Sequence, residues 1–156
     1  MSKKQKKYLF VCDFDKTLSF DDSGVILSEK IGIDEETFEK KLEEVRRRNI
    51  VQLGGELAQL IVTDSDYKGK VSKKLFHEVA KDIKLKRNVS RLFNVLEKGI
   101  EKNKFYCYVA SACPVEIIKT ALKGILPPEN IFGTTFTYDD KGYVQGIERT
   151  GAGQGK

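Results

Sequence analysis

An α/β fold built on a parallel sheet is the fold class that the sequence predicts, and two observations support it. Apolar runs of strand length at 8–12 and 105–110 are separated by helical patterns, and another helix and a short strand follow. Continuous apolar runs are typical of strands buried on both faces of a parallel sheet. Strands that alternate with helices are joined by right-handed crossovers, which make neighbouring strands parallel. We therefore expect the carboxyl ends of both runs at one edge of a sheet, where such folds bind ligands.

Between the two runs, residues 21–84 predict a block of helices. Turn chemistry at 19–24 precedes the block, and Asp34 is expected to cap a helix that has acidic residues in its first turn. A third helix is expected to start at Ser72 after a loop at 64–70. The apolar positions at helical spacing are Phe38, Leu42 and Val45, then Leu53, Leu57, Leu60 and Ile61, and finally Leu75, Phe76, Val79 and Ile83.

The second half of the chain predicts a helix, a strand, a helix and a hairpin. The first helix begins at Asn88 and presents Val89, Leu92, Phe93, Leu96 and Ile100 on one side. Pro114 suits the first position of the next helix, and Gly124 suits its end. A short strand at 131–133 precedes an alternating segment, 135–147, whose centre has the turn residues of a β-hairpin.

Size and composition predict an ordinary soluble chain. A length of 156 residues with 40% hydrophobic and 33% charged residues suits one domain that carries a small insertion. No apolar stretch approaches the ~20 residues that span a membrane, and the basic N-terminus does not resemble a secretory signal. The three cysteines lack metal or redox spacing, which favours free thiols in a reducing compartment, the cytoplasm.

The net charge of +5 raises the question of a nucleic-acid partner. Most lysines alternate with glutamates along helices, which is typical of solvated helix faces, and only 3–7 and 46–48 form basic runs. Arg46, Arg47 and Arg48 fall at the end of a predicted helix, where its dipole favours cations. Nucleic acid is therefore not the expected partner, although a basic binding module that uses residues 3–7 stays open as an alternative.

Asp13 and Asp15 follow the first predicted strand directly and carry the strongest functional signal. Two carboxylates at this spacing repel one another unless a cation or a shared proton lies between them. Such a pair suits chemistry that needs an anionic nucleophile, an acid/base group and a metal ion. The alternative is a solvated acidic turn or a helix cap, because the same residue type serves there too.

The segment Asp13-Phe14-Asp15-Lys16-Thr17-Leu18 resembles the first signature of the haloacid dehalogenase (HAD) superfamily, whose phosphatases work through an aspartyl-phosphate. Ser111, at the end of the second strand, resembles the second signature, and Lys156 resembles the third. The spacing is most similar to the phosphoserine-phosphatase-like branch. The resemblance implies a Rossmann-like, parallel-sheet HAD core of residues 1–20 and 85–156, with a helical cap of residues 21–84.

The resemblance also implies a role for each matching residue. Asp13 would be the nucleophile and a Mg²⁺ ligand, and Asp15 would be the general acid and base and would bind Mg²⁺ through its carbonyl. Lys156 would hold the nucleophile and the phosphoryl group by its charge. Among the binding residues, Thr17 would orient the loop, while the Ser111 hydroxyl and the N–H of Ala112 would contact the phosphoryl oxygens. The implied reaction is hydrolysis of a small phosphomonoester.

Each of these positions also has a simpler interpretation. Thr17 can cap a turn, Ser111 can cap the helix after Pro114, and Lys156 can be a lysine of the tail. The further acidic signature of the family lies beyond the lysine, and no residue before Lys156 matches it. The expected function stays that of a Mg²⁺-dependent phosphatase, whose site another chain could complete. The alternative is a truncated, catalytically incompetent HAD-like protein that acts only as a binding or structural module.

Two other kinds of catalytic site are not expected, because the histidines that they need are lacking. His77 is the single histidine of the sequence, which leaves little basis for a Ser-His-Asp triad and excludes a zinc site with two histidines. The helical pattern around His77 predicts a surface or packing role.

Overall fold

The computed structural model describes residues 5–151 and has the α/β fold that the sequence predicts. Its elements are β1 (Lys7–Cys12), α1 (Ser23–Lys30), α2 (Glu35–Arg48), α3 (Glu56–Thr63), α4 (Lys73–Asp82), α5 (Val89–Lys98), β2 (Lys104–Pro114), α6 (Val115–Ala121), a 3₁₀ turn (Pro128–Asn130), β3 (Ile131–Tyr138) and β4 (Val144–Arg149). The described residues form a four-stranded sheet in the order β1-β2-β3-β4. The pairs β1–β2 and β2–β3 are parallel and β3–β4 is antiparallel, which confirms both the parallel sheet and the hairpin.

One face of the sheet packs against helices and forms the core. Helix α5 lies on β2, and α6 lies on β2 and β3. Phe10 of β1 meets Phe93 of α5 edge to face, with ring centroids 6.4 Å apart. Val109 and Ile131 are paired across β2 and β3 and are buried on this side. The apolar side of α5 therefore packs against the sheet, as the spacing of its apolar residues predicts.

The expectation that β1 is buried on both faces is wrong. Leu9 and Val11 are 69% and 51% exposed, although they lie in the middle of the strand. Strand β1 is at the edge of the sheet, and no helix of the described residues covers the face to which these side chains belong. We call this surface the open face; its members, as the pairing register groups them, are Leu9, Val11, Tyr106, Tyr108, Ala110 and Phe132.

The helical block has the capping chemistry that the sequence predicts. The Asp34 carboxylate accepts from the N–H of Thr37, and the Ser72 hydroxyl accepts from the N–H of Leu75. Asp22 caps α1, which the sequence pattern did not separate from its neighbours. Leu53 lies before α3 and is 82% exposed, so its assignment to an apolar stripe is wrong.

The chain enters and leaves the helical block through two segments that are paired with each other. Ser19 and Leu85 form an antiparallel bridge. The N–H of Phe20 donates to the carbonyl of Lys84 at 2.9 Å. Hydrogen bonds therefore hold the entry and the exit of the block side by side.

Three boundaries in the second half differ from the predictions. Helix α5 ends at Lys98, so Ile100 lies outside it and is exposed, and Leu92 is exposed within it. Strand β2 continues through Ser111 to Pro114, and β3 runs from Ile131 to Tyr138 instead of stopping after three residues. Pro114 is the residue before α6, close to its predicted position.

Candidate active site at the carboxyl ends of two parallel strands

The parallel pairing of β1 and β2 brings two predicted site segments to one edge of the sheet. Cys12, the last residue of β1, pairs with Val109. Asp13 follows Cys12 directly, and Ser111 comes two residues after Val109 on the neighbouring strand. Two motifs that are far apart in sequence thus lie near the carboxyl ends of adjacent strands, Asp13 just after β1 and Ser111 within the last residues of β2, where α/β sheets bind ligands.

A tight turn anchored by Phe14 shapes the chain after β1. The Phe14 side chain is fully buried, and its carbonyl accepts N–H donors from Thr17, Leu18 and Ser19. Lys16 has a left-handed backbone with φ 58°. This turn separates the environments of the two aspartates, because Asp13 precedes the buried Phe14 and Asp15 follows it.

Asp15 is largely buried and is held by one residue of α1. The N–H of Ser23 donates to Oδ1 of Asp15 at 3.0 Å, and the Ser23 hydroxyl donates to Oδ2 at 2.8 Å. The pKa of Asp15 is raised to about 6, chiefly by burial and to a smaller extent by the nearby Asp22 and Asp13 carboxylates, while the two Ser23 hydrogen bonds oppose the rise. The largely buried and hydrogen-bonded Asp15 therefore does not fit the alternative interpretation of the sequence, in which the acidic pair belongs to a solvated turn.

Asp13 has the opposite environment. Its side chain is exposed, and none of the hydrogen bonds or ion pairs among residues 5–151 involves its carboxylate. The backbone carbonyl of Asp15 likewise accepts none of the loop hydrogen bonds of the described chain. These two oxygens are the donor type that Mg²⁺ prefers, and Mg²⁺ commonly keeps several waters when a protein supplies few ligands.

Ser111 is buried at the end of β2, and its hydroxyl accepts from the N–H of Cys113 at 3.3 Å. It does not cap α6, because Pro114 occupies the cap position and no side chain caps that helix. The Ala112 carbonyl accepts from the Thr134 hydroxyl at 2.8 Å, and that same hydroxyl accepts from the N–H of Gly151 at 3.0 Å. Thr134 thus ties the end of β2 to the end of the described chain.

Gly151 brings the C-terminal segment against Ser111. A Cβ atom at Gly151 would lie only 1.9 Å from the Ser111 carbonyl oxygen, so the two backbones touch. Lys156 lies outside the described residues. It follows Gly151 by five positions, so the two Cα atoms can be at most about 18 Å apart.

Thr17 is exposed, and its N–H bonds back to Phe14 within the turn. The orienting role that the resemblance gives to its hydroxyl stays a prediction.

His77 is exposed and its Nδ1 lies 2.7 Å from the Thr120 hydroxyl, which confirms a surface role.

Sequence reasoning missed three residues around the acidic pair. Ser23 holds Asp15, and Cys113 Sγ lies 3.1 Å from the same Ser23 oxygen. Lys86 donates its Nζ proton to the carbonyl of Lys16 at 2.6 Å, across the entry and exit of the helical block. The only local signal for Ser23 is its place immediately after Asp22, a residue suited to capping a helix.

Three further findings concern residues 5–151 alone. No three His, Cys, Asp or Glu side chains of this part of the chain come together in a way that would hold a metal ion. None of its helices is both long and apolar enough to cross a bilayer. All three cysteines are free thiols, and Cys107 and Cys113 are buried.

The fold is similar to several solved hydrolase structures. A phosphoserine phosphohydrolase-like protein from Francisella tularensis superposes with a TM-score of 0.68 at 17% identity, covering 91% of this chain and 64% of that one. A HAD family hydrolase from Salmonella enterica serovar Typhi gives 0.65 at 14% identity, covering 92% and 45%. A phosphoserine phosphatase solved as a phospho-aspartyl intermediate analogue gives 0.63 at 20% identity, covering 94% and 64%.

The sequence itself matches no protein-family profile and no curated protein. The chain spans less than two thirds of the length of the first solved structures that it resembles. Identities of this size show a shared fold and no more. The described chain therefore has the mixed α/β, mostly parallel fold of HAD-type hydrolases.

Proposed function

We propose that this protein is a Mg²⁺-dependent phosphatase that hydrolyses a small phosphomonoester through an aspartyl-phosphate. The observation that carries the proposal is the contrast between the two aspartates after β1. Asp13 is exposed and free of hydrogen bonds within the described chain, whereas Asp15 is largely buried and held by Ser23. A nucleophile needs the first environment, and an acid that donates a proton near neutral pH needs the second.

In the proposed reaction, a carboxylate oxygen of Asp13 attacks phosphorus and the ester P–O bond breaks. Asp15 gives its proton to the departing oxygen, so the product leaves as an alcohol. Asp15 then takes a proton from a water molecule, whose oxygen attacks the same phosphorus. The bond from phosphorus to Asp13 breaks, and inorganic phosphate leaves with both aspartates restored.

The Mg²⁺ ion would be held by the Asp13 carboxylate and the Asp15 carbonyl, and it would neutralise charge on the phosphoryl oxygens. Ser111, the N–H of Ala112 and Lys156 would contact those oxygens, and Thr17 would support the loop. The approach of Gly151 to Ser111 supports this set, since it starts the C-terminal segment beside the strand end.

Residues 21–84 would form the cap that selects the substrate, and residues 1–20 and 85–156 would form the core. The bridge between Ser19 and Leu85 supports these boundaries, because it joins the two chain segments that flank residues 21–84. The free thiols support a reducing, cytoplasmic location. A nucleic-acid role would depend on residues 3–7, of which 3 and 4 lie outside the described range.

The proposal is tested by incubating the 156-residue chain with Mg²⁺ and p-nitrophenyl phosphate. We expect turnover that EDTA abolishes and that Asp13→Asn removes. Asp140→Asn is the matched control, since this exposed aspartate lies in the β3–β4 turn, far along the chain from the acidic pair. Borohydride treatment under turnover should label Asp13, and turnover that persists in Asp13→Asn would refute the mechanism.

A non-catalytic binding or structural protein is the second candidate. It is favoured by the finding that no three His, Cys, Asp or Glu side chains of residues 5–151 come together in a way that would hold a metal ion. Mg²⁺ with beryllofluoride, which mimics a phosphoryl group on an aspartate, separates the candidates. A rise in Tm that depends on Asp13 supports the phosphatase, and an unchanged Tm supports the non-catalytic protein.

A further inference from the structure

Asp15 makes both of its side-chain hydrogen bonds to a single residue that belongs to the helical block. Ser23 is the first residue of α1, and it offers Asp15 one backbone donor and one hydroxyl donor. Both carboxyl oxygens are thus engaged from the same side. Two donors from one residue, its backbone N–H and its hydroxyl, fix the plane of a carboxyl group as well as its position.

The Ser23 hydroxyl is itself held in place by its surroundings. Ser23 is fully buried, and Cys113 Sγ lies 3.1 Å from its oxygen on the side of β2. Cys113 is buried as well, so water does not compete for this hydroxyl. A buried hydroxyl beside a carboxyl group has a strong preference for that acceptor.

The backbone of α1 fixes the second donor. Asp22 caps the helix by accepting from the N–H of Gly24 at 2.9 Å, which leaves the N–H of Ser23 directed at Asp15. The first N–H groups of a helix have no partner inside the helix. Asp15 therefore satisfies a helix donor that would otherwise be buried without an acceptor.

We propose that Ser23 is a positioning residue for the reaction, which places the Asp15 carboxyl group for proton transfer and links that placement to the helical block. The proposal rests on the proposed function, in which Asp15 is the acid and base. Ser23 does not touch the substrate in this scheme, and it acts through Asp15. A shift of α1 relative to the sheet would move the acid with it.

The experiment compares Ser23→Ala with Ser28→Ala in the 156-residue chain. Ser28 is the matched control, because it lies on the same helix, is equally buried and bonds to the Gly24 carbonyl and the Tyr67 hydroxyl instead of Asp15. The measured quantity is kcat/KM for a series of aryl phosphates whose leaving phenols range from weakly to strongly acidic. General acid catalysis contributes about 10²–10⁴-fold, mainly for poor leaving groups.

We expect Ser23→Ala to lower kcat/KM about tenfold for phenyl phosphate and less than about twofold for dinitrophenyl phosphate, since it removes one of two anchors of the acid. Ser28→Ala should leave this dependence on the leaving group unchanged. In an Asp15→Asn background, the effect of Ser23→Ala on the dependence should disappear. Equal losses for all leaving groups, or an effect that persists without Asp15, would overturn the proposal.

A readout without turnover separates this proposal from the phosphatase proposal. The Tm of Ser23→Ala, Asp15→Asn and the double variant is measured at one pH in EDTA. Coupled sites give non-additive changes, so a double variant that departs from the sum supports the anchoring contact even if the chain hydrolyses nothing. In that case the phosphatase proposal alone fails, whereas strictly additive changes overturn the role of Ser23.

Discussion

Replacement of Gly133 by alanine should be among the most damaging single changes in this protein. Gly133 lies in β3, where the strand passes the end of β2 and the start of α6. A Cβ atom there would lie 2.7 Å from the Cys113 carbonyl oxygen, 2.9 Å from the Val115 Cα atom and 3.1 Å from Cδ1 of Ile118. The first two atoms belong to backbone, so neither can rotate out of the way.

The expected cost follows from this geometry. Inserting one methyl group into a packed interior costs typically 1–3 kcal/mol, and backbone on two sides places Gly133→Ala near the upper end, at about 3 kcal/mol. For a chain of this length, that loss corresponds to a fall in Tm of roughly 6–12 °C. The displaced backbone carries Ser111 and Ala112, so turnover should fall as well.

Urea unfolding followed by circular dichroism measures this loss, with Gly146→Ala as the control. Gly146 also lies in a strand, β4, but its added Cβ atom would meet only the Thr137 hydroxyl, at 3.2 Å. A contact with one exposed side chain should change the free energy of unfolding by no more than about 0.5 kcal/mol. Equal midpoints for Gly133→Ala and Gly146→Ala would refute the close approach of β3 to the end of β2.

Three further predictions concern the turn, a helix cap and the thiols. Phe14→Ala removes a fully buried ring from the turn between the two aspartates, and urea unfolding should show a loss of about 3–5 kcal/mol; a smaller loss than 1 kcal/mol would contradict the anchoring of the turn. Ser72→Ala should cost about 1 kcal/mol in the same assay because α4 loses its cap, whereas Ser90→Ala on the exposed side of α5 should cost almost nothing. Burial raises the pKa of each cysteine, that of Cys12 to about 11, so the thiolate fraction at pH 8 is small. Ellman's reagent should therefore react only slowly with the native chain, whereas in urea it should react readily with all three thiols. Rapid labelling without urea would argue against the packing around the thiols.

The sequence allowed correct predictions where the determining interaction is local. Asp34 and Ser72 bond to N–H groups three residues away, so their capping roles follow from short patterns alone. Leu9 and Val11 show the opposite case. An apolar run reports the preference of a segment for burial, and whether a neighbour covers it depends on the rest of the fold.

The residues of the candidate site likewise divide into those that the sequence predicts and those that only the fold brings together. Asp13 and Asp15 stand next to a strand in the sequence, and the parallel pairing of β1 with β2 brings Ser111 to the neighbouring strand end. Ser23 contacts Cys113 across 90 positions of sequence, and such a contact has no periodic or compositional trace. The contrast between the exposed Asp13 and the largely buried Asp15 likewise depends on the buried Phe14 between them, because the two environments differ only once the turn is folded.

The open face has a practical consequence for handling the protein. Leu9, Tyr106 and Phe132 present apolar and aromatic surface to water beside the edge of β1, with which no other strand of residues 5–151 than β2 pairs. Contiguous apolar surface and a free strand edge both promote contacts between molecules. Concentrated samples should therefore scatter light more strongly as salt is added, and a lysine at position 9 should suppress that scattering without altering the thermal midpoint.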